Sequence, residues 1–584
     1  MKRFLAKNYV YIVFAICTVV MLVRAQFGFC WTDESFYIST ADRFYRGDIP
    51  LVGEWFRTQM SSVLILPLYA VYMLIAGSNV GVILYFRILY VVFSLIVAIV
   101  CYRVLRRDYP DFVALICAVF IMSYSHLSVA TFSYYMMSHL FLVLALFLIY
   151  DHKNTGSRKE LVAAGVITAL AVMSMPALAA GYAAVMIPAI AVTVIAKIPG
   201  VPENIKRRTQ QLQLGRIALF TIIGVAIPAV IFLIYLFSHV DFKYLTGTLP
   251  YILTDNEHDN TWGYYIRKPH RSMTEVFGMY TWAVYALCTI TFVFQKLLQK
   301  HPLREIVIIA DTLLFAVMAY LSLGHTGYIS VAFFAFFIPL FFISRRKNHM
   351  LFILFVIPSF LFAIIYCFTS SDFLYIIALG LAIANSAGVC AVYDLVSEED
   401  EKTPLRALCA ALAAAVCIFT LGDTIWLRIV NVYRDAPLGR LSERIPDGVA
   451  KGLLTTDEHL AQYTDVYGVI NEYCKGADGS VLFSKILPWG YMASDLACGY
   501  PTTWRATAYD ADQLELYYDI NKSSRPDVII VLETGIGAYD AAGDVEDDHE
   551  PNLDEMPDYW KEYIKDNGFD AIRASCATVY KRPE

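Results

Sequence analysis

The sequence predicts a polytopic α-helical membrane protein of about thirteen transmembrane helices, followed by a C-terminal extracytoplasmic α/β domain. Three observations carry that prediction. Long apolar runs fill Tyr9 to Trp426: the 584 residues are 58% hydrophobic and only 17% charged, with a mean hydropathy of +0.54, where a soluble globular chain carries about 25% charged residues. From Leu427 onward, Asp, Glu and Lys return to soluble frequencies, which divides the chain into a membrane region, 1–427, and a soluble region, 428–584. Finally, Lys and Arg crowd alternate loops.

The chain opens Met1-Lys2-Arg3-Phe4-Leu5-Ala6-Lys7, followed by apolar Tyr9 to Val23. Arg24, Gln26 and Phe27 follow in place of a small-residue cleavage site, so the segment reads as an uncleaved signal anchor. A span needs about 20 apolar residues. Spans are expected near 9–25, 82–102, 111–130, 134–150, 160–175, 177–196, 216–238, 276–295, 304–323, 327–344, 350–369, 373–393 and 405–426. The stretch Ser61–Ala76 is shorter and contains Pro67.

Loop charges decide its status. With Ser61–Ala76 on the surface and the N-terminus inside, the inside segments collect Arg103, Arg106, Arg107; Lys153, Arg158, Lys159; Lys197, Lys206, Arg207, Arg208, Arg216; Lys296, Lys300, Arg304; Arg345, Arg346, Lys347; and Lys402, Arg406. The opposite turns at 175–177, 324–327 and 370–372 carry no Lys or Arg. Letting Ser61–Ala76 span would invert every later segment, so the positive-inside rule favours thirteen spans with the C-terminal domain outside the cytoplasm. Two long outside loops result, 26–81 and 239–275. No internal repeat or pair of broken helices appears, which fits a secondary transporter poorly.

The net charge of −6 mostly reflects the acidic stretch Asp540 to Asp558, and no basic surface for nucleic acid is evident. Most of the twelve cysteines lie in apolar runs, where Cys behaves as a small hydrophobe. Cys30, Cys474, Cys498 and Cys576 stand outside them. One disulfide is compatible with these; no zinc spacing is present.

The first outside loop begins Trp31-Thr32-Asp33-Glu34-Ser35-Phe36-Tyr37 and continues Ala41-Asp42-Arg43-Phe44-Tyr45-Arg46-Gly47-Asp48-Ile49-Pro50. Two adjacent acids among aromatics at a membrane face can supply a general base whose pKa is raised by partial desolvation. An amphipathic helix anchored on the membrane surface by Phe36 and Tyr37 explains the same residues.

An acidic pair after the first span, an aromatic, a helix, a Gly-Asp-x-Pro turn and a Pro-containing apolar segment resemble the first external loop of the GT-C glycosyltransferases. These include protein O-mannosyltransferases, lipid A aminoarabinose transferases and many bacterial relatives. The resemblance continues through Gly77-Ser78-Asn79-Val80, Arg87 near the outer end of the next span, and the thirteen spans with an external domain. It implies sugar transfer from a polyprenyl-phosphate donor to a hydroxyl of a glycan, lipid or protein acceptor. It assigns the base to Asp33, with Glu34 as partner or substitute and Tyr37 beside the substrate. The same carboxylate holds a metal near the donor phosphate in part of the family, so a divalent cation is compatible and no cofactor is assigned.

Many relatives place another acid between the third and fourth spans. Here Ser128 to His139 has no carboxylate; Tyr135 or His139 approaches the site instead, or His139 is a packed, hydrogen-bonded histidine. A lipid phosphate needs cations just outside the bilayer. Candidates are Arg57, Arg87, Lys243, Arg267 and Lys268, with membrane-surface contacts and snorkelling as the alternatives. The stretch Thr254 to Trp262 holds acids and His258 but matches no calcium or zinc pattern. His325 lies in a tight turn on the same side and either touches substrate or caps that turn; Asp311 is an acid inside a span.

In the soluble region, 457–474 and 559–567 read as helices, and 480–484, 527–532 and 577–581 as strands. Leu487-Pro488-Trp489-Gly490-Tyr491 and Pro501 to Arg505 either line a cleft for sugar or form structural loops. The expected function is glycosyl transfer in the cell membrane. A carrier or flippase of polyprenyl-linked glycan, and a glycan ligase or polymerase, are the alternatives.

Overall fold

A computed structural model describes residues 2–126, 131–253, 261–283, 349–369, 373–397, 403–533 and 556–583, with scattered positions between 285 and 338. The chain is mostly helical, with a small C-terminal sheet region. Seven described helices are long and apolar enough to cross a membrane. They are α4 (Val82–Leu105), α6 (Tyr134–Thr155), α8 (Leu178–Ile195), α10 (Leu214–His239), α13 (His349–Cys367), α14 (Ile376–Ser397) and α15 (Pro404–Val430). Each coincides with an expected span. The expected spans 276–295, 304–323 and 327–344 are described only in part, and Asp311 lies outside the described residues.

Other described helices before residue 349 are α1 (Lys2–Arg24), α2 (Asp33–Tyr45), α3 (Met60–Ala76), α5 (Asp111–Ser123), α7 (Arg158–Ser174), α9 (Glu203–Gln211), α11 (Phe242–Leu253) and α12 (Trp262–Phe277). The span expected at 111–130 stops being helical at Ser123. Tyr124 turns extended (φ −69°, ψ 128°), at a Ser-Tyr-Ser-His run whose side chains compete for backbone hydrogen bonds.

Contacts between loops sort them by end. At one end, Arg107 pairs with Asp151 at 2.5 Å, the Tyr150 hydroxyl donates to Asp108 at 2.9 Å, and Arg216 donates to the Gly156 carbonyl at 2.7 Å. The basic clusters of 103–107, 153–159 and 206–216 therefore share that end. The C-terminal sheet region docks at the other, where the Gly81 amide donates to the Gly448 carbonyl at 3.0 Å as α4 begins.

α3 has both flanks on that domain. Before it, the Trp55 amide donates to the Pro501 carbonyl at 2.8 Å; after it, the Asn79 amide group donates to the Met492 carbonyl at 2.9 Å. A 17-residue helix is about 25 Å long, and a crossing orientation would carry one end away from the domain. Instead Ser61, Ile65 and Tyr69 are buried while Val71, Leu74 and Ile75 are exposed, so α3 lies along the domain end with an apolar outer face.

α7 and α10 cross at glycines. A Cβ on Gly165 would lie 2.1 Å from the Thr221 carbonyl oxygen, and one on Gly224 would lie 2.1 Å from that of Val162. Neither backbone can retreat without parting the helices. Gly165→Leu is expected to cost about 1–3 kcal/mol or more and to lower the melting temperature of the detergent-solubilised protein, a shift that differential scanning fluorimetry reads.

The C-terminal sheet runs in the order β4-β3-β5-β7-β6. Its strands are β3 (Ser480–Phe483), β4 (Ala497–Cys498), β5 (Val528–Leu532), β6 (Asp570–Arg573) and β7 (Ala577–Lys581). β3 pairs parallel with β4 and β5; β7 pairs antiparallel with β5 and β6. The apolar run of β5 is buried throughout, as a strand covered on both faces requires. Helices α16 (Asp457–Cys474), α17 (Pro488–Ala493), α18 (Ala511–Ile520) and α19 (Asp558–Asp566) surround it. A short ribbon, β1 (Glu443–Arg444) with β2 (Leu454–Thr455), precedes them and clasps the first loop. There the Gly28 amide donates to the Leu454 carbonyl at 2.8 Å, and the Leu454 amide to that of Gln26 at 2.7 Å. Gly28 holds φ +78°, and a Cβ there would meet Val432 at 2.4 Å, so only glycine fits.

Candidate active site

The first loop is not a surface helix. Every residue of α2 from Glu34 to Phe44 is buried, because the bundle covers one face and the C-terminal sheet region the other. Trp504 packs on Phe36 with ring centroids 5.2 Å apart, and Trp489 on Trp31 at 5.3 Å. Trp489, in α17, is wholly buried, so the Leu487–Tyr491 segment is structural packing.

Burying α2 puts its charges out of water, and each finds a partner. Arg43 pairs with Asp48, reaches Glu54 at 3.4 Å and donates to the Tyr517 hydroxyl at 2.7 Å. Asp42 pairs with Arg46 at 2.9 Å and accepts from the Tyr69 hydroxyl at 2.5 Å. Burial is the main cause holding both Asp42 and Glu54 above the usual carboxylate range; Arg46 and Arg43, respectively, oppose it. A carboxylate whose folded pKa is raised contributes stability that is fully present below its unfolded pKa and lost as pH rises through the folded value. The loop–domain junction is therefore expected to weaken as pH climbs from about 4 toward neutrality. Melting curves across that window should show a steeper decline for the native protein than for D42N/E54Q.

The adjacent acids Asp33 and Glu34 part company on the helix, since successive side chains are about 100° apart. Glu34 turns inward and is 1% exposed. It makes a bidentate pair with Arg87, one contact measuring 2.6 Å between Oε2 and Nη2. Arg87 spends its remaining donors on the carbonyls of Ala25 (2.8 Å), Phe27 (3.2 Å) and Gly28 (2.8 Å). The pair ties α4 to α2, and the carbonyl contacts tie it to the chain leaving α1. Arg87 thus faces Glu34 and the backbone, not a cavity.

Asp33 turns outward, its side chain 31% exposed. Its Oδ2 accepts from Thr32 at 3.1 Å and from the Tyr433 hydroxyl at 3.1 Å, and pairs with Arg434 at 3.1 Å. Oδ1 accepts no hydrogen bond from the described residues. Arg434 holds φ +51°, an uncommon conformation for a side-chain-bearing residue, and also donates to Thr32 at 2.6 Å. One oxygen of Asp33 is anchored and the other is available.

Tyrosines surround this carboxylate. Tyr37 is buried, within electrostatic range of Asp33, Tyr135, Tyr433 and Cys30; burial first, and then Asp33, pushes its phenol well above the ordinary value. Burial and then Asp33 do the same for Tyr433, and burial pushes the Cys30 thiol up to about 11. These groups stay protonated donors at neutral pH. Tyr37 packs edge-on with Tyr134 at 5.5 Å, and Tyr134 lies tilted against Tyr135 at 4.0 Å. Arg57, half-buried, lies within electrostatic range of Tyr134. Asp33, Tyr37, Arg57 and Tyr135 therefore come together where α2, the start of α6 and the segment after α15 meet.

Other expected residues lie apart. His139 is one turn deeper than Tyr135, packed 5.2 Å from the Tyr124 ring, with Nδ1 3.0 Å from the Leu379 carbonyl; it is a packed histidine. α11 touches the first loop through Tyr244, which donates to the Val52 carbonyl at 3.3 Å, and Tyr251, stacked on Trp55. Its Lys243 is exposed. Arg267 is exposed and Lys268 is buried over the Tyr264 ring at 5.1 Å. His325 and the stretch 254–260 lie outside the described residues. Among the described residues, no three His, Cys, Asp or Glu side chains gather in a metal-binding group, and the cysteines, including Cys30, Cys474, Cys498 and Cys576, are free thiols.

Tyr433 and Arg434 escaped the sequence reading. The available signal was their position, an aromatic–cation pair just past the last long apolar run. No protein-family model matches this chain, and no curated protein matches it in sequence.

Proposed function

We propose that this chain is a membrane glycosyltransferase that moves a sugar from a polyprenyl-phosphate donor to an acceptor hydroxyl on the extracytoplasmic face. In this reading the chain crosses the membrane thirteen times, its N-terminus is cytoplasmic and its α/β domain extracytoplasmic. Segregation of the basic clusters to the end opposite the domain supports that orientation. The observation that carries the chemistry is Asp33: an outward carboxylate with Oδ2 held by Thr32, Tyr433 and Arg434, and Oδ1 open.

Asp33 Oδ1 takes the proton of the acceptor hydroxyl as that oxygen attacks the anomeric carbon. A carbon–oxygen bond forms on one face while the bond from the anomeric carbon to the phosphate oxygen breaks on the other. The electron pair leaves with the polyprenyl phosphate, and the anomeric configuration inverts. Tyr433 and Arg434 fix the base; Tyr37 and Tyr135 shape the substrate side; Arg57 is the cation nearest the tyrosine wall.

Purified full-length protein supplied with a donor labelled in both sugar and lipid tests this. Released polyprenyl phosphate should match the sugar gained by the acceptor, mole for mole. Lipid-linked sugar that crosses the bilayer intact, with no covalent transfer, would overturn the reading in favour of a carrier.

A further inference from the structure

The two segments that build the Asp33 site are joined by a second carboxylate. Asp33 lies four residues after Phe29, and Tyr433 and Arg434, which hold it, stand directly before Asp435. The Asp435 side chain is wholly buried, and its Oδ2 accepts from the Phe29 amide at 2.7 Å. We propose that Asp435, oriented by His459, is a positioning residue: it clamps the chain leaving α1 to the chain leaving α15 and so fixes Asp33 against Tyr433 and Arg434.

Three observations support it. The first is the set of donors around the carboxylate. Oδ2 also accepts from the Thr455 hydroxyl of β2 at 3.0 Å, and Oδ1 accepts from the Ala436 amide at 2.7 Å. His459 Nδ1 lies 2.6 Å from Oδ1. With a backbone N–H on each oxygen, Asp435 is an acceptor on both sides, so Nδ1 carries the proton and donates it. Asparagine cannot do the same work. Wherever its NH2 group lies, it faces one of the two amides and leaves that donor unsatisfied. His459 is buried in the first turn of α16, where its own amide donates to the Thr456 hydroxyl at 3.2 Å. A capped helix end therefore aims the imidazole.

The second is a matching set of contacts to carbonyls. Arg24, buried at the end of α1, donates to Phe27 at 2.9 Å, to Ile429 at 2.9 Å and to Asn431 at 2.6 Å. Arg24 thus joins the same two segments on one side, and Asp435 joins them on the other. The third is fit. Val432 and Asp435 pack on Gly28 so closely that a Cβ there would lie 2.4 Å and 3.6 Å from them. The Phe29 ring meets Tyr463, one turn on from His459, at 5.8 Å, so α16 holds Phe29 by its ring as well as through His459 and Asp435. If the two segments parted, Asp33 Oδ2 would lose Tyr433 and Arg434 together. A misplacement of about 1 Å can cost a reaction about 100-fold. That consequence for turnover rests on the proposed function; the clamp itself does not.

Sugar transfer by purified full-length protein, assayed well below each variant's melting temperature, should be paired with hydrogen–deuterium exchange over residues 27–36 and 429–436. D435N is expected to lower kcat about 10–100-fold with the donor KM near native, and to quicken exchange in both stretches. H459L should do the same. H459N, whose side-chain amide can take the place of the Nδ1 donor, should retain most of the turnover. Native kcat in D435N or in H459L overturns the proposal, and so does an equal loss in H459N and H459L. A lowered kcat with unchanged exchange overturns it as well, since no segment would then have moved. If D435N does not fold, the contrast between H459N and H459L decides. Exchange that quickens in D435N, in a protein that transfers no sugar even in its native form, would keep the clamp and reject the glycosyltransferase reading. Asp33-dependent transfer with turnover unchanged in D435N and H459L would do the reverse.

Discussion

Arg87→Met is expected to destabilise the protein by about 3–5 kcal/mol, the cost of stranding one member of a buried ion pair. Glu34 would keep its charge at 1% exposure with neither guanidinium contact, and the carbonyls of Ala25, Phe27 and Gly28 would lose their shared donor. Glu34→Leu should cost a comparable amount by stranding Arg87. The double variant E34L/R87M should recover part of the loss, because removing both charges removes the desolvation penalty as well. Melting in detergent, with the yield of monodisperse protein as a second readout, checks the order: each single variant below the double, the double below native. Equal stability of R87M and native protein would mean that the pair contributes nothing.

Asp33→Asn has the opposite signature. Loss of a general base typically costs about 10²–10⁴-fold, and that loss should fall on kcat, with donor affinity and melting temperature near native. Asparagine preserves the contacts from Thr32 and Tyr433 in shape, and at 31% exposure the lost charge remains partly solvated. Asp33→Glu should restore some activity. Two neighbouring acids thus separate experimentally: one variant is folded and inactive, the other poorly folded. A D33N protein with native turnover would remove Asp33 from the chemistry.

That separation was invisible as a sequence pattern, since Asp33-Glu34 is a pair of adjacent carboxylates whichever way the helix faces. The helix resolves it by rotation, and the decisive partner, Arg87, is 53 residues away. The seven long apolar helices were legible for a different reason. In lipid, each backbone group must be satisfied within its own segment, so an apolar run of sufficient length has one outcome. The strands at 480–483 and 528–532 and the helix at 457–474 were similarly readable from local pattern. β4, two residues long, and β6 with its exposed faces carry too little pattern.

The burial of α2 was not readable. Its charges look like a solvated face, and only contacts from elsewhere reverse that. Tyr517 meets Arg43 across 474 residues, and Thr503 meets Thr40 across 463. The same holds for Arg428, which in sequence is one more cation at the end of a span. Its neighbours Tyr124 and Tyr328 come from distant parts of the chain.

The most direct test of the central claim is transfer in sealed proteoliposomes of one known orientation. Labelled polyprenyl-phosphate sugar is placed only in the leaflet on the side of the soluble domain. Native protein should transfer the sugar and D33N should not, while both retain donor. Transfer undiminished in D33N, or transfer only when donor is supplied on the side of the basic loops, would contradict the account.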